Sequence, residues 1–131
     1  MIIEQAVYSI LSGNTDLTDV LPATSMFAGN APQDTPNPCL IYSRSYTSPD
    51  NTKGLEFWQI CNFEVDIFAS KYKEAATIAD LVKAALNRSK GVFTGFNIDE
   101  TLFDGEDYRG YIPDHNSHHV SQGYVITIKN T

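Results

Sequence analysis

Within residues 55–87 the spacing of apolar side chains changes from two residues to three or four. In the first half apolar and polar positions alternate, and the apolar set is Phe57, Cys61, Phe63, Val65, Ile67 and Ala69. Successive side chains of a strand point to opposite faces, so this half predicts a long strand over 55–69 with one buried face. The second half repeats its apolar residues at helical spacing, which predicts an amphipathic helix over 71–87 with Ser70 as its N-cap.

Shorter patterns surround this stretch. Residues 2–12 have helical spacing and end before Gly13, a residue that favours a helix C-terminus. A polar link follows over 14–20 with one short helical turn, and we expect Leu17, Val20 and Leu21 to pack under the domain. Strands are predicted at 25–28, 39–47, 92–98 and 120–129. Loops are predicted at 29–38, 48–54 and 114–117. A turn is predicted at Asp104-Gly105, within the acidic segment 99–109.

The order of these elements predicts a single α+β domain over residues 1–131. Strands that follow one another through short turns pair antiparallel, and two helices with one apolar face each must bury that face. We therefore expect an antiparallel sheet of four or more strands with two helices packed on one face. The 48–54 loop is longer than a tight turn, so it should project as the tip of a hairpin between two strands.

Composition restricts the function classes that suit this chain. Its 131 residues are 42% hydrophobic, which supplies a core and excludes a disordered chain. The formal net charge of −7 argues against a surface that binds nucleic acid, although an acidic wall past which DNA slides remains compatible. The first residues carry Glu4 and no basic segment, and no apolar run is long enough to cross a bilayer, so we expect a soluble protein inside the cell that makes it.

The residues that could carry catalysis form no recognised motif. Cys39 and Cys61 both fall in apolar strand segments, which favours two buried thiols over a disulfide between neighbouring strands. The sequence contains neither a G-x-S-x-G elbow nor a glycine-rich phosphate loop. We therefore predict no catalytic residue and no cofactor.

One run, over residues 114–119, is a candidate for metal chemistry. It contains Asp114, His115, His118 and His119, which are ligand types that zinc and nickel accept. The spacing is loose and no second cluster completes a site, so a polar loop entering a strand is the favoured interpretation and no metal is predicted. A small metal-dependent hydrolase stays open as an alternative.

Two further surface features follow from the residue types. The acidic run Asp99, Glu100, Asp104, Glu106 and Asp107 lacks the pattern of a calcium-binding loop, so it predicts a solvated or lumen-facing acidic surface. Trp58 and Phe68 fall on the more polar face of the long strand. There, either a second layer covers them or they belong to a subunit interface, where aromatic residues are enriched.

Several segments, in this order and spacing, resemble one known family. They are IIEQAVYSIL, then MFAGNAPQDTPNPCLIYSR with Ala31-Pro32-Gln33 and Pro38, then FEVDIFAS followed by KYKEAATIADLVKAALN, and finally HHVSQGYVITI. Together they resemble the tail completion proteins of long-tailed bacteriophages, also called tail terminator or tail-to-head joining proteins. The acidic segment 99–114 is the least similar part, and nothing is carried over onto it.

The resemblance implies a structural protein of the virion, located at the head-proximal end of the tail and made in the cytoplasm of the host bacterium. Such proteins form a ring, usually of six subunits, that stops polymerisation of the tail tube and meets the head. The implied partners are further copies of the chain, the tail tube protein and head–tail connector proteins, with no membrane partner. DNA passes through the lumen without specific binding.

A ring of this kind needs contacts between different patches of neighbouring subunits. We expect these contacts at the hairpin and on the more polar face of the long strand, at Pro49, Asp50, Asn51, Lys53, Trp58 and Phe68. Two other structural interpretations remain open: another head–tail connector or neck protein, and a binding module that adds a peptide strand to a sheet edge.

Overall fold

The helices and strands are described by a computed structural model over residues 2–32, 35–49, 58–93 and 96–130. The helices are α1 (Ile2–Ser12), α2 (Thr15–Thr18) and α3 (Tyr72–Leu86). The strands are β1 (Met26–Ala28), β2 (Cys39–Pro49), β3 (Trp58–Ala69), β4 (Gly91–Phe93), β5 (Phe96–Ile112) and β6 (Ser117–Asn130). Short 3-10 turns occupy Ala23–Ser25 and Pro113–His115.

The strands form one six-stranded sheet in the order β1-β2-β3-β6-β5-β4. Four neighbouring pairs are antiparallel, whereas β1 and β2 pair in parallel. The connection over 29–38 is long enough to return the chain to the start of β2, which a parallel pair requires. The predicted α+β class is therefore confirmed, with a sheet larger than the predicted minimum and with one parallel pair that local patterns did not indicate.

Both halves of the 55–87 pattern form the core. On β3 the buried set is Cys61, Phe63, Val65, Ile67 and Ala69, and on α3 it is Ala75, Ile78, Ala79, Val82 and Leu86. These side chains join those of α1 in one hydrophobic cluster, in which α1 contacts α3 and β2 while α3 contacts β3, β5 and β6. Leu17 and Leu21 are fully buried as predicted, but Val20 is 44% exposed, so its predicted burial is wrong.

The start of α3 differs from the prediction. The N-cap is Lys71 rather than Ser70, and no side chain caps the helix. The backbone of Lys71 is still extended, with φ −123° and ψ 139°, and its carbonyl oxygen accepts from the amide of Ala75 at 3.0 Å. Because β3 runs to Ala69, the bend after the strand occupies Ser70 and the helix begins two residues later.

The last third of the chain departs most from the sequence pattern. A single strand over 92–98 is wrong, because β4 and β5 are antiparallel partners on either side of residues 94–95. The turn predicted at Asp104-Gly105 is also wrong, since β5 continues through it over 17 residues. Gly105 has φ 135° and marks a register shift, so the strand forms a bulge there and keeps its pairing with β6.

The remaining boundaries shift by a few residues. Strand β2 extends to Pro49, so the first two residues of the predicted 48–54 loop belong to a strand, and residues 50–57 lie outside the described part of the chain. Strand β6 starts at Ser117, three residues before the predicted start. None of the helices in the described ranges has the length and apolar character of a membrane span.

Both cysteines are free and buried, as predicted. Cys39 pairs with Phe68 on one face of the sheet, whereas Cys61 belongs to the hydrophobic cluster on the other face. Cross-strand neighbours share a face, so the two thiols are separated by the sheet itself. Burial raises the pKa of each thiol above its usual value.

Candidate interaction surfaces

The sheet face opposite the hydrophobic cluster is polar along its centre. We call it the polar face and define it by Glu64, Asp66 and Phe68 of β3, Asp107 of β5, and His119 and Ser121 of β6. The pairing of strands places Phe68 beside His119 and places Asp66 beside Ser121, which in turn lies beside Asp107. The more polar parity of the predicted long strand is thus confirmed as the half-buried one.

An acid–imidazole pair lies within this face. The Nε2 atom of His119 is 2.8 Å from Oδ1 of Asp66, and the two side chains are 19% and 18% exposed. The ring of Phe68 stacks on His119 with centroids 4.4 Å apart. Burial by itself would raise the pKa of Asp66. The hydrogen bonds of its carboxyl with His119 and Ser121, the charge of His119 and a hydrogen bond with Glu64 together outweigh burial and hold that pKa below its ordinary value.

A groove of about 300 Å³ crosses the polar face. Gly105 and Gly123 are cross-strand neighbours, so no side chain fills its floor. Arg109 lies on one wall, with Nε 3.5 Å from Oδ2 of Asp107 and Nη2 3.9 Å from Oε1 of Glu64. The lining includes Glu64, Asp104 and Asp107. Glu106 also borders the groove, but its carboxylate accepts from Gln122 on the face that α3 covers.

The five acidic residues predicted to be solvated are all exposed along β5. They are Asp99, Glu100, Asp104, Glu106 and Asp107. Two of them, Asp104 and Asp107, line the groove together with Glu64, and the cation in the groove lining is Arg109. The face is therefore electronegative, and phosphate is repelled from such a surface.

The histidines of residues 114–119 do not converge. His118 and His119 are consecutive on β6 and face opposite sides of the sheet, with His118 Nδ1 2.9 Å from the hydroxyl of Tyr108. His115 is exposed on the turn before them, as is Asp114. Within the described ranges no group of three or more His, Cys, Asp and Glu side chains is arranged to hold a metal ion. The geometry that the hydrolase alternative requires is not assembled.

A cluster of exposed tyrosines surrounds His118. Tyr72, Tyr108 and Tyr111 are 58%, 44% and 48% exposed. Ring centroids are 5.2 Å apart for Tyr72 and Tyr108, 5.0 Å for Tyr111 and His118, and 6.0 Å for Tyr72 and His118. We call these four residues the tyrosine cluster. Sequence reasoning missed it, because the sequence pattern did not predict the β5–β6 hairpin that places Tyr111 beside His118. Tyr72 joins them from α3, which is distant along the chain.

The turn between β5 and β6 is tied to the proline-rich loop. The side-chain amide of Asn37 donates to the carbonyl oxygens of His115 at 3.3 Å and Asn116 at 3.1 Å. The hydroxyl of Ser117 donates to Oδ1 of Asn37 at 3.1 Å. The 35–38 segment and the β5–β6 turn therefore lie together at the end of the sheet where α3 begins.

The six residues predicted to contact a neighbouring subunit fall into two groups. Phe68 lies on the polar face beside His119, near the end of β3. Pro49 ends β2 and Trp58 begins β3 at the opposite end of the sheet, and their side chains lie outside the described part. Asp50, Asn51 and Lys53 also lie outside it. The set remains a prediction.

Comparisons with known proteins bear on the whole chain. A solved structure titled "Virion of native gene transfer agent (GTA) particle" contains a chain with the same fold, at a TM-score of 0.76 and 14% sequence identity. The match covers 98% of this chain and 96% of that chain. A comparison with curated protein sequences finds no match. The model of the family "Tail completion protein gp17" matches residues 5–126, so the chain belongs to this family and is a structural protein of the phage tail.

Proposed function

We propose that the protein caps the head-proximal end of the phage tail tube as a ring of six subunits. In this role it ends polymerisation of the tube and joins the tail to the head. The observation that carries the proposal is the family match over residues 5–126. The partners are further copies of the chain, the tail tube protein and the head–tail connector proteins.

In the proposed ring the two longer helices, α1 and α3, cover one face of the sheet and the polar face lines the lumen. The groove on that face is lined by the acidic residues Glu64, Asp104 and Asp107. The chain as a whole has a formal charge of −7. A lumen of this sign repels phosphate, so DNA passes without being held.

A closed ring requires a contact in which two different patches meet. The β2–β3 hairpin is one source of such a contact, through Pro49, Trp58 and the residues Asp50, Asn51 and Lys53 between them. Phe68 would contribute separately, from the end of β3 where its ring stacks on His119.

The test is electron microscopy of particles assembled without this protein. Overlong tails or tails not joined to heads support the proposal, and resupplying the wild-type protein should restore tails of uniform length. Tails of normal length beside heads that lose their DNA would instead indicate a connector protein. Native mass spectrometry with and without the tail tube protein then measures the number of subunits in the ring.

A further inference from the structure

We propose that Asn37 is a latch that couples residues 35–38, just before β2, to the tyrosine cluster. While the latch is closed, it holds the β5–β6 turn and the rings of the cluster in place. When it opens, both loosen while the rest of the sheet stays folded. The latch lies within one chain, so its test is independent of the proposed ring.

The side chain of Asn37 takes part in each hydrogen bond that joins residues 35–38 to the β5–β6 turn in the described part of the chain. Its amide group donates to the carbonyl oxygens of His115 and Asn116 at 3.3 and 3.1 Å, and its Oδ1 accepts from the hydroxyl of Ser117 at 3.1 Å. Both amide protons and the amide oxygen are therefore in use. One side chain thus controls the contact between segments that are 78–80 positions apart in sequence.

The β5–β6 turn relies on this side chain because a short turn leaves carbonyl groups without backbone partners. Pro113–His115 form a single 3-10 turn, and the last carbonyl groups of a helix have no acceptor role within it. Asn116 follows in the left-handed region, with φ 49° and ψ 52°. The hydroxyl of Ser117 lies 3.1 Å from the carbonyl oxygen of His115 and equally far from Oδ1 of Asn37, so it shares its proton between the turn and the latch.

Asn116 connects the latch to the tyrosine cluster. Its backbone carbonyl accepts from Asn37, and its side-chain Oδ1 accepts from the hydroxyl of Tyr111 at 2.7 Å. The ring centroid of Tyr111 lies 5.0 Å from that of His118, whose Nδ1 is 2.9 Å from the hydroxyl of Tyr108. A continuous series of contacts therefore runs from Asn37 through Asn116 to three members of the cluster.

The latch can open without unfolding the domain. Asn116 is exposed, Tyr111 is about half exposed, and the hydrophobic cluster contains neither of them nor Asn37. Strand β6 keeps its pairing with β3 from His118 onward whether or not the turn is held. Opening is therefore a local event at one end of the sheet. Because coupling between two sites is reciprocal, weakening the cluster also weakens the hold on Asn37.

Amide hydrogen exchange measured by NMR on the purified chain tests the latch. Asn37→Ala removes all three hydrogen bonds, so the amide of Asn116, which donates to the carbonyl oxygen of Pro113 at 3.2 Å, should exchange on the order of tenfold faster. The amide of Val65, in the centre of β3, should keep its rate. Asn30→Ala changes an exposed asparagine of the same connection and should leave both rates at the wild-type values. An unchanged rate at Asn116, or an equal increase at Asn116 and Val65, would overturn the proposal.

Tyr111→Phe tests the coupling from the opposite side. It removes only the hydroxyl that donates to Asn116, from a side chain that is 48% exposed, so the fold is retained even if Asn37→Ala does not fold. The side-chain amide protons of Asn37 should then exchange about two- to tenfold faster. Tyr8→Phe, which changes an exposed tyrosine on α1, is the matched control and should leave them at the wild-type rate. Exchange at Asn37 that is the same in Tyr111→Phe and in Tyr8→Phe would show that the cluster and the latch are not coupled.

Discussion

His119 Nε2 and Asp66 Oδ1 lie 2.8 Å apart and join the two central strands, β3 and β6, on the polar face. Both side chains are more than four-fifths buried, so neither charge is well solvated if its partner is removed. The pair therefore links the stability of the sheet to pH.

Asp66→Asn should destabilise the fold in a pH-dependent way. The folded-state pKa of Asp66 lies below its ordinary value, so its carboxylate stabilises the fold above the unfolded-state pKa, about 3.9, and this contribution is lost as pH falls through the folded-state pKa. We expect a loss of about 1.5–3 kcal/mol at pH 7, with the difference from wild type shrinking below pH 4. Urea unfolding at pH 7 and pH 3 measures both quantities.

The matched control for this change is Asp80→Asn. Asp80 is exposed on α3, and its replacement should alter stability by less than about 0.5 kcal/mol at either pH. An Asp66→Asn protein whose deficit is the same at pH 3 and pH 7 would contradict the assigned role of the carboxylate.

Gln122→Leu should be strongly destabilising. This side chain is fully buried and donates to the carbonyl oxygen of Ala79 and to Oε1 of Glu106, both at 2.8 Å, while accepting from the Tyr124 hydroxyl at 2.9 Å. Leucine fills similar space but leaves the buried hydroxyl without its partner, so we expect a loss of about 2–3 kcal/mol in denaturant unfolding.

Tyr124→Phe separates the parts of this network. It removes the hydroxyl alone and should cost about 0.5–1.5 kcal/mol. Because the orphaned hydroxyl is absent from the double variant, Gln122→Leu with Tyr124→Phe should be less destabilised than the sum of the single changes. Simple additivity of the two changes would show that the bond between them contributes nothing.

Gly105→Ala should weaken the bulge in β5. A Cβ there meets no atom within 4 Å, so the cost comes from its φ of 135°, which L-residues rarely adopt. We expect a loss of about 1–3 kcal/mol in thermal or denaturant unfolding. The control is its cross-strand neighbour: at Gly123 a Cβ would lie 3.8 Å from Cβ of Asp104, an ordinary contact, and Gly123→Ala should cost less than about 1 kcal/mol. Equal effects at the two positions would exclude backbone strain as the cause.

Reversal of acidic charges on the groove should change how the proposed ring interacts with DNA. Asp104→Lys with Asp107→Lys replaces two exposed carboxylates of the groove by cations, so we expect salt-dependent binding of duplex DNA where the wild-type protein shows none. Fluorescence anisotropy over a salt titration measures this binding, and particles carrying the variant should eject DNA more slowly.

Glu74→Lys with Asp80→Lys is the matched control, because it makes the same change in net charge on α3. It should leave ejection at the wild-type rate if the polar face alone lines the lumen. Equal slowing by both variants would show that the effect follows net charge, and would contradict a specific role of the groove in the DNA path.

Local sequence patterns were enough to predict the helices and strands that bury only one of their faces. The alternation in β3 and the three-to-four spacing in α1 and α3 follow from burying one face of an element, and this requirement acts on residues close in sequence. The buried set on β3, including Phe63 and Ile67, was therefore predictable, as were the two free thiols. Family membership was also accessible, because it depends on the order of several such segments.

Which side chains meet on the protein surface depends on the tertiary structure alone. The bulge at Gly105 keeps β5 paired with β6 where a turn was expected, and that pairing places Tyr111 beside His118. The pairing of β3 with β6 brings Asp66 within 2.8 Å of His119, a residue 53 positions away in sequence. Register between distant strands depends on how their side chains and bulges fit together across the sheet, a fit that the hydrophobic period of either strand does not contain. For this reason the core could be predicted from the sequence, while the polar face and the tyrosine cluster required the fold.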